Sequence, residues 1–188
     1  MDPAKASALS RDVTTPLATL EELARSDLPF LRENVARHPH ATPELLLSLV
    51  PSTLATEGER GVAMAVLSNP QTPDAGVLSV IRLLSRERVD GSRRENSPWE
   101  RLAVAALGHP NVPAEAAENA VQSLALPTSL RIRLAERCRN RALLNYLLAD
   151  RSEAVRNAAA SSLGGGTEQI VGRERRGRVS DHDWCGDA

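Results

Sequence analysis

The side chains that could carry acid–base or metal chemistry in this sequence are few and widely spaced. His38 and His109 each precede a proline, and Asn69 stands at the matching place in the stretch between them. An asparagine cannot replace an imidazole that titrates or binds a metal, although both side chains can hydrogen-bond backbone carbonyls. We therefore predict that the histidines bond the carbonyls freed beside a proline corner, and that neither is catalytic.

The two cysteines are the other candidates for reactive or metal-binding groups. The run Asp181–Cys185 contains oxygen, nitrogen and sulfur ligands, but structural zinc needs four well-placed ligands, which so short a run rarely supplies. Cys138 lies between Arg137 and Arg139, whose charges would lower the pKa of its thiol. The alternative, which we favour, is a small apolar residue in the place of a corner proline. Glycine-rich phosphate loops and hydrolase motifs are absent from the sequence, so we predict no metal, no cofactor and no enzyme activity.

Arginines and one tryptophan are the candidate partner-binding residues. Arg32, Arg131 and Arg156 fall at one repeat position, and Arg133 lies close by. On one face these arginines would suit an acidic peptide or phosphate. Alanines occupy that position in the middle units, which favours the alternative of solvated arginines paired with neighbouring acids. Trp99 is either an exposed interface anchor or a lid over the core.

The composition indicates what must position these residues. Hydrophobic residues make up 41% of the 188 residues but aromatic residues only 2%, so the core must be aliphatic, which suits small packed helices better than a sandwich of β-sheets. The net charge of −1 provides no global attraction to nucleic acid or anionic membranes. No apolar run approaches the roughly 18 residues of a membrane span, and no signal peptide or disulfide framework is visible. We predict a cytoplasmic protein.

A repeated motif organises the chain. Its best example is Val35–Pro43, in which an apolar helix end is followed by a proline, a short corner and a Thr-Pro restart. With the restart as origin, units recur roughly every 30 residues, with one longer step. The origins are Pro16, Pro43, Pro73, Pro113 and, with the proline lost, Ala142. The threonines Thr15, Thr42 and Thr72 are predicted to cap the helix that starts at the proline.

Two columns of apolar residues follow each origin, at positions four and seven beyond it, on one face of a helix. They are Leu20, Leu47, Val77, Ala117 and Tyr146, and Leu23, Val50, Val80, Ala120 and Ala149. A second helix in each unit carries an apolar pair four residues apart, such as Leu130 and Leu134. Neither helix would be stable alone, so we predict that units stack side by side and share one core.

These motifs resemble the leucine-rich repeat variant, a bacterial relative of HEAT-type helical repeats. The resemblance rests on Val35–Pro43, on Asn69–Pro73 and on His109–Pro113, and it spans roughly residues 9–163. It implies alternating α- and 3₁₀-helices in a right-handed superhelix. The units are longer than the family's short repeat, so the second helix is expected to be nearer the α-helix of HEAT repeats. The cysteine-rich segment that carries an iron–sulfur cluster in a family member is missing, so that cofactor is not expected.

We therefore predict an all-α fold, a short right-handed α-solenoid of about five two-helix repeats over residues 1–163. A charged surface insertion is predicted at residues 86–98 and a disordered polar tail at 164–188. The predicted function is a binding or scaffold module for a protein or peptide, and the alternative is nucleic-acid binding by an arginine-lined face. Self-association through an uncapped end stays open. The candidate binding residues are Arg32, Arg131, Arg133, Arg156 and Trp99.

Overall fold

A computed structural model of the chain describes residues 2–86 and 97–174, with side chains described up to residue 164. This part of the chain consists of eleven α-helices and contains no strand, which confirms the all-α fold class. The helices are α1 Pro3–Arg11, α2 Leu17–Ala24, α3 Pro29–Arg37, α4 Pro43–Leu49, α5 Glu57–Ser68, α6 Asp74–Arg86, α7 Pro98–Leu107, α8 Ala114–Ser123, α9 Thr128–Arg137, α10 Arg141–Leu147 and α11 Glu153–Glu174.

The helix contacts separate into two rows. Each odd-numbered helix contacts the odd-numbered helices before and after it, from α1 to α11. The even-numbered helices form a second series in the same way, from α2 to α10. Each odd helix also contacts the even helix that follows it in the chain. Apolar faces of both rows therefore meet between them, which is where the core lies.

The core is aliphatic, as the composition predicts, and it is filled mainly by leucine, valine and alanine. Leu20, Leu46, Leu84, Leu102 and Leu134 are among the largest fully buried side chains. Helix α5 carries a glycine where it packs against the start of α3. A Cβ atom on Gly58 would lie 2.7 Å from the Pro29 ring, so a larger residue would force these helices apart.

A shared turn follows each odd-numbered helix from α1 to α9. At or just after the end of the helix, one side chain accepts a hydrogen bond from the backbone N–H two residues later, as in an Asx turn. The accepting residues are Asp12, His38, Asn69, His109 and Cys138, with donors Thr14, His40, Gln71, Asn111 and Asn140 at 2.9 to 3.3 Å. This bond holds the chain in the corner that leads into the even helix.

The first residue of four even helices differs from the prediction by one position. Helix α4 begins as predicted, at Pro43 with Thr42 as its cap, whereas α2, α6 and α8 begin one residue after their proline. One residue rotates the buried face by about 100°. Leu47 is consequently 43% exposed, and Leu46 and Leu49 fill the core instead. Helix α10 also begins one residue before its predicted origin, and Ala149 is exposed.

Thr15 and Thr72 do not cap the helices that follow them, contrary to the prediction. Each hydroxyl instead donates to the backbone carbonyl six residues earlier, that of Leu9 at 2.7 Å and that of Val66 at 2.5 Å. Both threonines are buried at the corner, where each hydroxyl gives a second donor to a carbonyl that also accepts a backbone N–H at the helix end. Only Thr42 accepts the capping bond, from the N–H of Leu45.

The last helix is longer than the sequence pattern predicts. Helix α11 continues to Glu174, past the boundary predicted at residue 163. Glycine lowers helix stability by about 1 kcal/mol relative to alanine but does not remove a backbone donor as proline does, so the three glycines at 164–166 do not have to end the helix. The predicted insertion at 86–98 lies mostly outside the described residues, and so does the part of the predicted tail beyond residue 174.

Candidate functional site

The candidate arginines occupy a continuous column when positions are counted from the helix start. The fourth residue of every odd helix from α3 to α11 is arginine: Arg32, Arg60, Arg101, Arg131 and Arg156. Counting back from the corner does not reveal Arg60 and Arg101, because each lies farther before its corner residue than Arg32 lies before His38. The position where each helix begins is the signal that could have found them.

Three of these guanidinium groups are bound to the protein's own backbone. Each reaches back to carbonyl oxygens of the loop that precedes its helix. The acceptors are Leu54 and Ala55 for Arg60, Leu126 for Arg131, and Asp150 and Arg151 for Arg156, at 2.6 to 3.2 Å. The column therefore stabilises the connections from even to odd helices, and its members are only partly available to a partner.

Arg131 is further engaged in a buried ion pair. Its Nε and Nη2 atoms donate to the two carboxylate oxygens of Asp150 at 2.8 and 3.2 Å, and these side chains are only 8% and 10% exposed. Burial by itself would raise the pKa of Asp150, but the hydrogen bond and charge of Arg131, with the N–H of Ser152, lower it on balance. Arg131 thus has the geometry of a structural arginine.

Arg133 and Trp99 also have partners within the chain. Arg133 pairs with Glu100, whose side chain is 2% exposed, and this ion pair connects α7 to α9. Nothing in the sequence pattern marks Glu100 as a buried charge. Trp99 is partly buried against the core, and its indole N–H donates to the backbone carbonyl of Leu84 at 3.3 Å. This placement is that of the lid described above.

A groove on the row of odd helices remains open to a ligand. It has a volume of about 180 Å³ and crosses from α3 over α5 to α7. Arg37, Arg60 and Arg101 contribute positive charge to its lining, and Met64 and Pro98 contribute apolar surface. Glu57 also lines the groove and supplies a carboxylate. Of the arginines, Arg37 and Arg101 are exposed. The structure does not bring Arg131, Arg133 or Arg156 to this groove.

The grooves on the even helices have a different character. One of about 430 Å³ lies between α8 and α10, where Gln122 donates to the hydroxyl of Tyr146 at 3.1 Å. The groove between α2 and α4 carries Glu21, Arg25 and Glu44, so charges of both signs line it. Neither concentrates one sign of charge as the odd-row groove does.

The histidines bond backbone groups of the preceding corner. The Nε2 atom of His38 lies 2.9 Å from the carbonyl oxygen of Asp12, and the side-chain amide of Asn69 donates to the carbonyl of Ala36 at the same distance. His109 is hydrogen-bonded to the backbone of Asn69, and its burial lowers the pKa of its ring below the usual range. Asparagine and histidine therefore serve the same structural purpose here.

Cys138 takes the place that His38, Asn69 and His109 have in the other corners. The sequence predicted it one residue later, at the place of the corner proline. It is buried, and burial raises the pKa of its thiol, so the neighbouring arginines do not activate it. Across the described residues, no three histidine, cysteine, aspartate or glutamate side chains lie close enough to hold a metal ion. The candidate ligands of Asp181–Cys185 lie outside the described residues.

Within the described ranges, no helix combines the length and apolar character needed to cross a membrane. No family model, curated protein or solved structure matches this chain.

Proposed function

We propose that the chain is a short right-handed α-solenoid of about five two-helix units, related to the leucine-rich repeat variant and HEAT-like repeats. The support is the pattern of helix contacts: every helix packs against its nearest neighbours in its own row and against a helix of the other row. Stacked helical units of this kind bury a continuous core and leave extended surfaces for partners. The shared corner bonds, repeated at Asp12, His38, Asn69 and His109, are consistent with a common origin of the units.

On this architecture we assign a non-enzymatic role, the binding of a protein or peptide partner in the cytoplasm. The observation that carries this assignment is the open groove across α3, α5 and α7, which offers charge and apolar surface together. A groove that crosses three helices is a suitable place for an extended segment of another chain. Nucleic-acid binding is less well supported, because Arg131, Arg133 and Arg156 bond other groups of the same chain.

Selection from a random peptide library displayed on phage tests this function. We expect enrichment of peptides on the native protein, and we expect the enriched peptides to shift backbone amide resonances in α3, α5 and α7. The matched control is the same measurement on α2 and α4 of the opposite row, whose amides should not move. An absence of enriched peptides, or shifts confined to the even helices, would contradict the proposal.

A further inference from the structure

We propose that the groove over α5 selects an acidic peptide segment that carries an apolar side chain. This inference rests on the proposed function and names the chemistry of the ligand. The groove, called the α5 groove below, is defined by Arg37, Arg60, Met64, Pro98 and Arg101.

The charge of the α5 groove favours carboxylates. Three arginines from three different helices line it, against the single carboxylate of Glu57, although the guanidinium of Arg60 also bonds the carbonyls of Leu54 and Ala55. Arg37 is partly neutralised by Glu33, whose oxygen lies 2.5 Å from its Nη1 atom, but Arg37 remains exposed. Arg101 is exposed as well. A guanidinium presents paired N–H donors that match a carboxylate, so acidic side chains suit this lining better than basic ones do.

The apolar part of the groove favours a peptide that carries an apolar side chain between its acidic residues. Met64 is only partly buried, and it packs against the core from the groove side. Its flexible thioether adapts to ligands of different shape. Pro98, which is exposed, extends this surface onto α7. A leucine or similar residue of the peptide would cover apolar surface that otherwise faces water.

The dimensions match a short extended segment. Neighbouring packed helices lie about 9 Å apart, so α3 and α7 are separated by roughly 18 Å across α5. An extended chain covers about 3.3 Å per residue, and about six residues therefore span the groove. A nucleic-acid backbone carries phosphates but no apolar side chain for Met64 to contact, so a peptide suits this groove better.

The test uses fluorescein-labelled peptides of alternating glutamate and leucine, with the matching lysine–leucine peptide as the charge control. Fluorescence anisotropy on the full chain should show binding of the acidic probe only. The Arg37→Gln, Arg101→Gln double variant should weaken it by roughly tenfold, because each lost charge removes one guanidinium–carboxylate contact. Arg82→Gln with Arg139→Gln removes two exposed arginines elsewhere and should leave the affinity unchanged.

The outcomes separate this inference from the proposed function. Selection that enriches acidic peptides supports both the binding function and the acidic specificity if two conditions hold. Binding must be lost in the Arg37 and Arg101 variant, and it must be kept in the Arg82 and Arg139 variant. Enrichment of peptides without acidic residues, or equal binding to wild type and groove variant, overturns the acidic specificity and leaves the binding function standing. No enriched peptide at all overturns both. Tighter binding of a DNA duplex than of the acidic probe overturns the choice of a peptide. Melting curves show that each variant is folded.

Discussion

The imidazole Nε2 of His38 lies 2.9 Å from the backbone carbonyl oxygen of Asp12, the residue that follows helix α1. Its Nδ1 atom accepts from the N–H of His40, so both ring nitrogens are committed to the backbone. Asn69 and His109 repeat this arrangement, and the three residues together are called the corner ladder. The ladder connects each corner to the one before it through bonds to backbone groups.

The free energy of unfolding should decrease as the pH is lowered, because of His109. Burial lowers the pKa of its ring in the folded state, so between that value and the unfolded value of about 6.5 the unfolded chain binds more protons. The contribution of His109 is therefore fully present above about pH 6.5 and is lost as the pH falls towards the lowered folded pKa. Urea unfolding at a series of pH values measures this slope.

His109→Asn is the control for that measurement. Asparagine at Asn69 makes the equivalent bonds, so this variant should retain most of the stability at pH 8 and lose part of the slope below pH 6.5. His109→Ala should instead cost about 1 to 3 kcal/mol at every pH, because backbone groups lose their partner. An unchanged slope in His109→Asn would show that another group causes the pH dependence.

Two threonines of the repeat should respond differently to aspartate. Thr42→Asp should leave stability nearly unchanged, since aspartate also caps a helix, whereas Thr42→Ala should cost about 1 kcal/mol. Thr72→Asp should cost more than about 2 kcal/mol, because a buried carboxylate cannot donate to the carbonyl of Val66. Thermal melts of the three variants measure these differences. Equal tolerance of aspartate at both positions would mean that Thr72 is a cap.

Two leucines test the register of the helices. Leu134 is fully buried, so Leu134→Ala should lower the free energy of unfolding by about 2 to 5 kcal/mol. Leu47→Ala should change it by less than about 1 kcal/mol, because the side chain is 43% exposed. Chemical denaturation provides both values. A large loss in Leu47→Ala would place that residue in the core and restore the column read from the sequence.

The buried pair of Arg131 and Asp150 should behave as a structural unit. Arg131→Ala should cost about 3 to 5 kcal/mol, since it leaves the Asp150 carboxylate without its charged partner. The double variant Arg131→Met, Asp150→Asn should lower the free energy of unfolding by less than the sum of Arg131→Met alone and Asp150→Asn alone. A double-mutant cycle with these variants measures the coupling. Additive effects would indicate that the two side chains act independently.

The loop before α9 contains a strained residue. Ala125 has a φ of 43°, the left-handed conformation that glycine adopts without a Cβ penalty. Ala125→Gly should therefore raise stability by up to about 1 kcal/mol, while Ala125→Val should lower it. The midpoint of thermal unfolding reports both. A loss of stability in the glycine variant would show that the Cβ atom makes a packing contact that outweighs the strain.

The sequence by itself determined the helical class, the aliphatic core and the place of the corners. These features depend on local properties: apolar spacing along a helix, the rigid ring of proline and the bonding capacity of His38 and Asn69 near their own backbone. The same reasoning placed the row of apolar residues correctly at Leu20 and Val77. Helices α2 and α6 both begin one residue after their proline, and this shared register places the fourth residue beyond the proline in the core.

Only the tertiary structure decided which way the long side chains point. Arg131 turns to a carboxylate nineteen residues away, and Arg133 turns to Glu100 on the preceding odd helix. A guanidinium has many rotamers, and its partner is selected by which groups packing brings within reach. The same holds for Leu47, because one residue of difference in where α4 begins moved it from the core to the surface.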